Sequence, residues 1–220
     1  MRNVVVRDAD EAVAGLRDGH TVLMGGFGGA GLPRQLVQSV LRTGARGLTV
    51  ISNNAGADAD DLSLWFEAGI VRKMVCSYPR NAVAFTARYR KGEVELELVP
   101  QGTLIERIRC GGAGLGGFLS PVGVDTVFED GKQKLEVAGR SYILELPLRA
   151  DFALLRGLKA DTFGNVVYNK TARNYSPVMA TAAQTTVFEV DQIVEPGELD
   201  PEAIVTPCIF VNRVFARRSV

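Results

Sequence analysis

Residues that commonly carry catalysis or metal binding are scarce in this sequence. The three cysteines, Cys76, Cys110 and Cys208, are scattered and none has CxxC spacing. This distribution indicates reduced thiols and favours neither a disulfide framework nor a zinc site. The one histidine, His20, follows Asp18 and Gly19 in a turn before an apolar run. We therefore expect it to be solvent-exposed and not to act as a general base.

Neither sign of charge is in excess, and long apolar runs are lacking. Lysine plus arginine and aspartate plus glutamate number 25 each, which does not support long-range attraction to nucleic acid or to an anionic membrane. No apolar run approaches the ~20 residues that span a bilayer. The polar start of the chain leads us to expect no secretory signal and a cytoplasmic location. Without a linker, repeat or low-complexity segment, we predict one domain over residues 1–220.

What the sequence does have is an alternation of buried-strand and helix patterns in its first half. Such an alternation predicts an open, mainly parallel α/β sheet covered by helices, with ligands at the carboxyl ends of the strands. The predicted strands are Thr21–Met24, Leu48–Ile51 and Lys73–Cys76. The predicted helices are Pro33–Leu41, Asp60–Glu67 and Ala82–Arg90.

The later part of the chain shows a different pattern. In Val94–Val99 strict alternation predicts a strand with its glutamates on a solvated face and Val94, Leu96 and Leu98 on the other. Past Gly111 the sequence is rich in strands and turns. It predicts a hairpin of Lys134–Val137 and Ser141–Leu146, strands at Thr185–Val190 and Phe210–Val214, and a helical turn starting at Asp200–Pro201.

A glycine-rich segment follows the first predicted strand and precedes a helix. Gly26 to Gly31 reads GFGGAG, which satisfies the G-x-G-x-x-G pattern of dinucleotide sites. However, the second strand ends in the neutral Ser52–Asn54, where a dinucleotide site expects an acidic residue. The pattern also recurs at Gly112–Gly117. The segment could serve only to relieve crowding, but so many glycines together favour close approach of a ligand to the backbone.

Neutral amide side chains follow two other predicted strands. Asn53 and Asn54 come after the second strand and could donate hydrogen bonds to a carboxylate or a developing oxyanion, or could simply form a turn. Gln101 follows Val94–Val99 and is expected near the same crevice. Thr103 and Glu106 are spaced as a helix capping box.

No carboxylate has the setting of a nucleophile. Glu145 and Glu189 lie within predicted strands without flanking glycines. Cys76, in an apolar strand, is interpreted as a packing residue. There is no G-x-S-x-G segment, so an esterase-type serine is not indicated.

Five blocks of sequence resemble the A subunit of family I coenzyme A transferases. The first runs from Asp18 to Pro33 (DGHTVLMGGFGGAGLP). The others follow in the family's order along nearly the whole chain: SNNAG at 52–56, VPQGTLIERIRCGGAG at 99–114, KADTFGNVVYNKTARN at 159–174 and GELDPEAIVTP at 197–207.

The resemblance implies a CoA-transferase-like fold and covalent, ping-pong transfer of CoA to a carboxylic acid, without metal or redox cofactor. It implies that the nucleophilic glutamate belongs to a B subunit, usually in an assembly of two A and two B chains. Asn53, Asn54 and Gln101 would then be supporting residues. The substrate- and CoA-binding residues would be Gly25, Gly26, Phe27, Gly28, Gly29 and Gly31.

The acceptor acid and the role of the chain stay open at this point. SNNAG with CSYPR at 76–80 is closer to the 3-oxoadipate:succinyl-CoA branch, which belongs to aromatic degradation, than to the acetoacetate branch. Arg80 could hold the second carboxylate of a dicarboxylic acid or be a surface residue. Besides part of an enzyme, the chain could be a non-catalytic nucleotide- or phosphosugar-binding module, or a scaffold that contributes only an interface.

Overall fold

The computed structural model describes residues 2–57, 59–79 and 81–217. It confirms the α/β fold class: seven strands form one sheet in which every pairing is parallel. These strands are β1 (Thr21–Met24), β2 (Leu48–Ile51), β3 (Val71–Cys76), β4 (Glu95–Leu98), β8 (Ala150–Arg156), β11 (Ala183–Val190) and β13 (Arg213–Ala216). Their order across the sheet is β13-β11-β8-β1-β2-β3-β4.

Six further strands build two small sheets beside the main one. They are β5 (Phe118–Ser120), β6 (Lys134–Val137), β7 (Arg140–Glu145), β9 (Lys159–Asp161), β10 (Val166–Val167) and β12 (Gln192–Val194). One small sheet has the order β5-β7-β6 and contains the predicted hairpin; the other has the order β10-β9-β12. The strand-rich character predicted for the second half is therefore confirmed.

Helices cover both faces of the main sheet. They are α1 (Ala9–Ala12), α2 (Arg34–Thr43), α3 (Ser63–Glu67), α4 (Val83–Arg90), α5 (Gln101–Ala113) and α6 (Ser176–Thr181). Buried residues of α1 to α4 belong to one hydrophobic cluster, whereas those of α5 and α6 belong to another. The sheet lies between the two clusters, which is why β1 and β2 read as continuous apolar runs.

Several local predictions prove wrong. The final strand begins at Arg213, because Cys208–Phe210 forms a 3₁₀ turn. On β4, Leu98 is exposed and Glu97 is half-buried, so the strict alternation does not hold at this edge strand. The strand β8 has no counterpart in the sequence prediction. In contrast, the short helical turn after Asp200 is present at Pro201–Ala203.

Two further expectations fail for identifiable reasons. Helix α5 begins at Gln101, so Thr103 lies inside its first turn, where it is buried and forms no cap; Glu106 bonds to Arg109 instead. His20 is half-buried, stacks on the ring of Phe152 and accepts a hydrogen bond from Arg17. The prediction that His20 is solvent-exposed is therefore wrong.

Candidate functional site

The carboxyl ends of β1 to β4 meet at one edge of the main sheet, since neighbouring parallel strands point the same way. A cavity of about 460 Å³ opens there, within the size range of small-molecule sites. It is lined by Phe27, Gly28, Asn53, Asn54, Gly56, Ala57, Ser77, Tyr78, Asn81 and Gln101. The loops after four consecutive strands thus contribute to one site, as the sequence predicts for Asn53, Asn54 and Gln101.

A smaller cavity of about 210 Å³ adjoins the first and shares Gly28, Asn54, Gly56 and Ala57 with it. The glycines that follow β1 form one wall, since Gly25, Gly26 and Gly29 also line it. Its one carboxylate among the lining residues, Asp61, accepts hydrogen bonds from the backbone N–H groups of Ala57 and Ser63.

The glycine-rich segment is a closed hairpin. The backbone N–H groups of Phe27 and Ala30 each bond to the other residue's carbonyl oxygen, at 3.0 and 3.1 Å. Gly28 and Gly29, between them, have φ values of 55° and 82°, the left-handed conformation that a two-residue hairpin turn needs and that glycine adopts readily. Two backbone N–H groups of this segment, those of Phe27 and Ala30, are therefore already bonded within the hairpin.

The segment that precedes α6 holds this hairpin in place. The Asn174 side chain accepts from the N–H of Gly26 at 3.3 Å and donates to the carbonyl oxygen of Ala30 at 2.9 Å. Gly31 lines neither of the two cavities; it packs against this segment, where a Cβ would overlap the carbonyl oxygen of Ala172. The ligand contact expected of Gly31 therefore stays a prediction.

Asn53 and Asn54 occupy different environments. The carbonyl oxygen of Asn53 accepts from the N–H groups of Ser77 and Tyr78, which ties the ends of β2 and β3 together. Its side-chain Oδ1 accepts from the hydroxyl of Tyr175 at 3.1 Å. The Oδ1 of Asn54 accepts from the N–H of Gly56 at 3.0 Å. Asn54 therefore forms the turn that the sequence allows and lines the cavities as well.

Two titratable groups near the site remain neutral at ordinary pH. Burial raises the pKa of the Cys76 thiol to about 12, so this residue at the end of β3 is a packing residue and not a thiolate nucleophile. Burial raises the pKa of Tyr175, and the nearby Gln101 side chain opposes that rise. The larger cavity has no aspartate or glutamate among its described lining residues. It offers hydrogen bonds without formal charge.

Sequence reasoning missed several residues of this region, among them Ser77, Tyr78 and Tyr175. Ser77 and Tyr78 follow β3 directly, so the strand-end rule that selects Asn53 would also have selected them. Tyr175 gives no such signal, because 122 residues separate it from Asn53. Arg80, proposed to hold a second carboxylate, lies outside the described residues.

Neither a metal cluster nor a membrane-spanning helix is found in the part of the chain that the structure describes. Within residues 2–57, 59–79 and 81–217, three or more His, Cys, Asp or Glu side chains never gather as metal ligands would. Every helix in those ranges is too short or too polar to cross a bilayer.

The sequence of the chain is similar to those of known CoA-transferase subunits. Over 218 residues the chain is 51% identical to the A subunit of 3-oxoadipate CoA-transferase from Pseudomonas putida, covering 98% of this chain and 94% of that protein. It is 47% identical to the alpha subunit of acetate CoA-transferase from Escherichia coli K12 over 209 residues, covering 95% of each.

A solved structure shows the same fold at low sequence identity. The apoenzyme of an acyl-CoA transferase from Escherichia coli O157:H7 superposes with a TM-score of 0.88 at 20% identity. The match covers 98% of this chain but 47% of that one, so the chain spans about half the length of that solved protein. Residues 6–217 match the family described as coenzyme A transferase. The chain therefore belongs to the coenzyme A transferase family.

Proposed function

We propose that the chain is the A subunit of a heteromeric enzyme that moves CoA from succinyl-CoA to a 3-oxo acid, with 3-oxoadipate the favoured acceptor. The 51% identity to the corresponding chain of a 3-oxoadipate CoA-transferase supports this acceptor. The 47% identity to an acetate CoA-transferase subunit makes a small monocarboxylate the main alternative. The proposal includes a cytoplasmic location, two A and two B chains, and no cofactor besides the CoA thioester.

One observation carries the proposed division of labour. The larger cavity presents amides and the hydroxyls of Ser77 and Tyr78, yet its described lining residues include no carboxylate. Covalent CoA transfer needs a nucleophile that accepts the acyl group. We infer that a glutamate of the B subunit enters the cavity, while Asn53, Asn54 and Gln101 of this chain supply hydrogen-bond donors.

The proposed reaction is a sequence of acyl transfers. The glutamate carboxylate attacks the thioester carbonyl carbon and the C–S bond breaks. CoA departs as its thiolate, and an acyl-glutamyl anhydride is formed. The thiolate then attacks the glutamyl carbonyl, which releases succinate and leaves a glutamyl-CoA thioester. The acceptor carboxylate repeats these two steps in reverse and departs as its CoA ester. Each attack places negative charge on a carbonyl oxygen, and neutral donors fixed in place stabilise such charge.

The test is reconstitution of CoA transfer from purified subunits. This chain by itself, the B subunit by itself and the mixed pair are assayed with succinyl-CoA and with 3-oxoadipate, acetoacetate or acetate. We expect turnover by the pair only, with the highest kcat/KM for 3-oxoadipate. Turnover by this chain by itself, or none by the pair, would contradict the division of labour. A higher kcat/KM for acetate would overturn only the acceptor.

Mass spectrometry locates the nucleophile independently of steady-state rates. After the pair is mixed with succinyl-CoA, the mass of a CoA adduct should appear on the B subunit rather than on this chain. An adduct on this chain would place the nucleophile here and refute the proposal. Binding of NAD(H) or a sugar phosphate in preference to a CoA ester would instead favour the nucleotide- or phosphosugar-binding module.

A further inference from the structure

The hydroxyl group of Tyr175 interacts with two amides that line the larger cavity. It donates a hydrogen bond to Oδ1 of Asn53 at 3.1 Å. The Gln101 side chain approaches the same hydroxyl closely enough to favour its ionised form. One phenol group, contributed by the second half of the chain, therefore contacts side chains that follow β2 and β4.

This bond selects one orientation of the Asn53 amide. An asparagine side chain has one acceptor end and one donor end. Because the Tyr175 hydroxyl occupies Oδ1, Nδ2 is the end left to donate to a ligand. In the reverse orientation the Nδ2 hydrogens would point to the hydroxyl, which would then accept from Asn53 and lose its donation to Oδ1. At a site where negative charge develops on a carbonyl oxygen, the donor end is the useful one.

The surroundings keep Tyr175 rigid enough for this role. The residue is 7% exposed and directly precedes α6, where its carbonyl oxygen accepts from the N–H of Met179. Its own N–H donates to Oδ1 of Asn174 at 2.7 Å. Its ring meets the edge of the Phe27 ring, with centroids 6.1 Å apart. The ring is thus held by contacts that do not involve the hydroxyl.

We propose that Tyr175 is a positioning residue, which turns the Asn53 amide so that Nδ2 faces the acyl-binding cavity. The inference rests on the proposed function for the identity of the ligand, but not for the geometry. Tyr175 acts through Asn53 and need not contact the substrate.

The first test is a double-mutant cycle in the reconstituted pair. Tyr175→Phe keeps the ring and its contact with Phe27 but removes the hydroxyl. We expect kcat to fall about tenfold, the order expected for loss of one transition-state hydrogen bond, with little change in KM. In an Asn53→Ala background, Tyr175→Phe should have no further effect. An unchanged kcat for Tyr175→Phe, or full additivity of the two changes, would overturn the proposal.

A matched control exists in the same chain. The Tyr168 hydroxyl bonds to the Thr206 hydroxyl at 2.5 Å, and neither residue lines the two cavities at the strand ends. Tyr168→Phe therefore removes a comparable hydrogen bond and should leave kcat unchanged. If it lowers kcat as much as Tyr175→Phe does, the effect is structural and the positioning role is wrong.

A measurement that does not depend on CoA transfer tests the positioning role of Tyr175 separately from the proposed function. The Asn53 side-chain NH₂ signals, assigned in ¹⁵N spectra of the chain by comparison with Asn53→Ala, should shift in Tyr175→Phe but not in Tyr168→Phe. If the pair transfers no CoA to any acid, the proposed function fails, while the spectra still decide the geometry. Unshifted signals in Tyr175→Phe would overturn the inference.

A second variant covers the case in which Tyr175→Phe does not fold. Asn53→Asp keeps an oxygen for the Tyr175 hydroxyl and replaces the Nδ2 donor by another oxygen. If Nδ2 is the working end, this variant loses at least as much kcat as Asn53→Ala. Activity near that of the unaltered pair would show that the donor end is not needed, and would refute the proposal.

Discussion

Ser77 carries a hydroxyl oxygen that is buried and has no hydrogen-bond partner among the described residues. It lines the larger cavity. Unsatisfied buried polar groups are uncommon in native proteins, and a ligand atom or a water molecule usually accounts for one. Ser77 thus has an unused hydrogen-bonding group beside the larger cavity.

We therefore expect Ser77→Ala to raise KM for the acceptor acid several-fold. The reason is the loss of one hydrogen bond to the acid, which contributes roughly 1 kcal/mol to binding. The unfolding free energy should stay unchanged, because no protein hydrogen bond is removed. Steady-state kinetics of the pair and urea denaturation of the chain measure the two effects.

Ser176 is the matched control for this substitution. Its hydroxyl oxygen is also buried without a partner among the described residues, but it does not line either cavity at the strand ends. Ser176→Ala should leave KM unchanged. Equal shifts in KM for both variants would show that Ser77 acts through packing and not through the ligand.

Gly31 and Gly28 provide a comparison of two left-handed glycines in the same glycine-rich segment. Gly31 has a φ of 73°, and a Cβ there would overlap the carbonyl oxygen of Ala172; Gly28 has a φ of 55° with open space around it. We expect Gly31→Ala to lower the unfolding free energy by more than ~2 kcal/mol and Gly28→Ala by ~1 kcal/mol. Urea denaturation of both variants tests the difference, and equal losses would contradict the close approach at Gly31.

At the scale of elements, a glutamate links β3, β4 and α5. The carboxylate of Glu97 on β4 pairs with Lys73 of β3 at 2.6 Å and with Arg107 of α5 at 2.7 Å. Burial raises the pKa of Glu97, but the hydrogen bonds from both cations outweigh it, so the net pKa is lowered. A carboxyl group with a lowered pKa stabilises the fold above its ordinary pKa, and this contribution is lost as the pH falls through that range.

Replacement of Glu97 should therefore change both stability and its dependence on pH. We expect Glu97→Gln to lower the unfolding free energy at pH 7 by on the order of 1 kcal/mol. The difference from the unaltered chain should shrink as the pH falls below about 4.5, the ordinary carboxyl value. Glu95→Gln on the same strand is the control, because Glu95 is exposed and its contact with Arg72 is 3.4 Å long. An equal loss for both variants would contradict the linking role of Glu97.

The elements that the sequence predicts well are those whose pattern is local. Strands β1 and β2 are buried on both faces, so their uniform apolar runs identify them without knowledge of their neighbours. Strand β8 is missed because Ala150–Arg156 includes alanine, leucine and arginine, which favour helices in isolation. Its strand conformation follows from insertion between β1 and β11, a tertiary effect that overrides local propensity.

The residues of the candidate site also fall into two groups, those that a local sequence pattern predicts and those that only tertiary packing brings to the site. Asn53, Asn54 and Gln101 follow strands of one parallel sheet, so the strand-end rule by itself predicts that they lie together. Tyr175 and Asn174 reach the site because α6 packs against the main sheet. No spacing in the sequence reports that contact, since it depends on which distant strand lies beside β1.

At the scale of the whole molecule, the two halves of the chain share one sheet. Strand β8 pairs with β1, and the N–H of Gly25 bonds to the carbonyl oxygen of Leu154. The hydrophobic cluster that contains α5 and α6 draws residues from both halves, such as Leu23 and Leu155. The prediction of one domain over residues 1–220 therefore leads to a test by truncation.

A fragment that ends at Gly116 keeps β1 to β4 and α1 to α5 but loses β8, the strand that pairs with one edge of β1. We expect it to lack cooperative unfolding and to give poorly dispersed amide signals, because an open β1 edge and half of a core remain exposed. The full chain, measured under the same conditions, is the control. A sharp unfolding transition in the fragment would indicate two independent domains.

The position of β8 in the sheet also has a consequence for synthesis. At ribosomal rates of about 5–20 residues per second, β8 follows β1 by on the order of ten seconds. In the folded sheet β1 lies between β8 and β2, so until β8 is made the edge of this apolar strand that pairs with β8 lacks its partner. Such an edge can pair with other nascent chains. Strand β1, which is followed by the glycines that line the smaller cavity, thus has an edge open to aggregation until β8 is made.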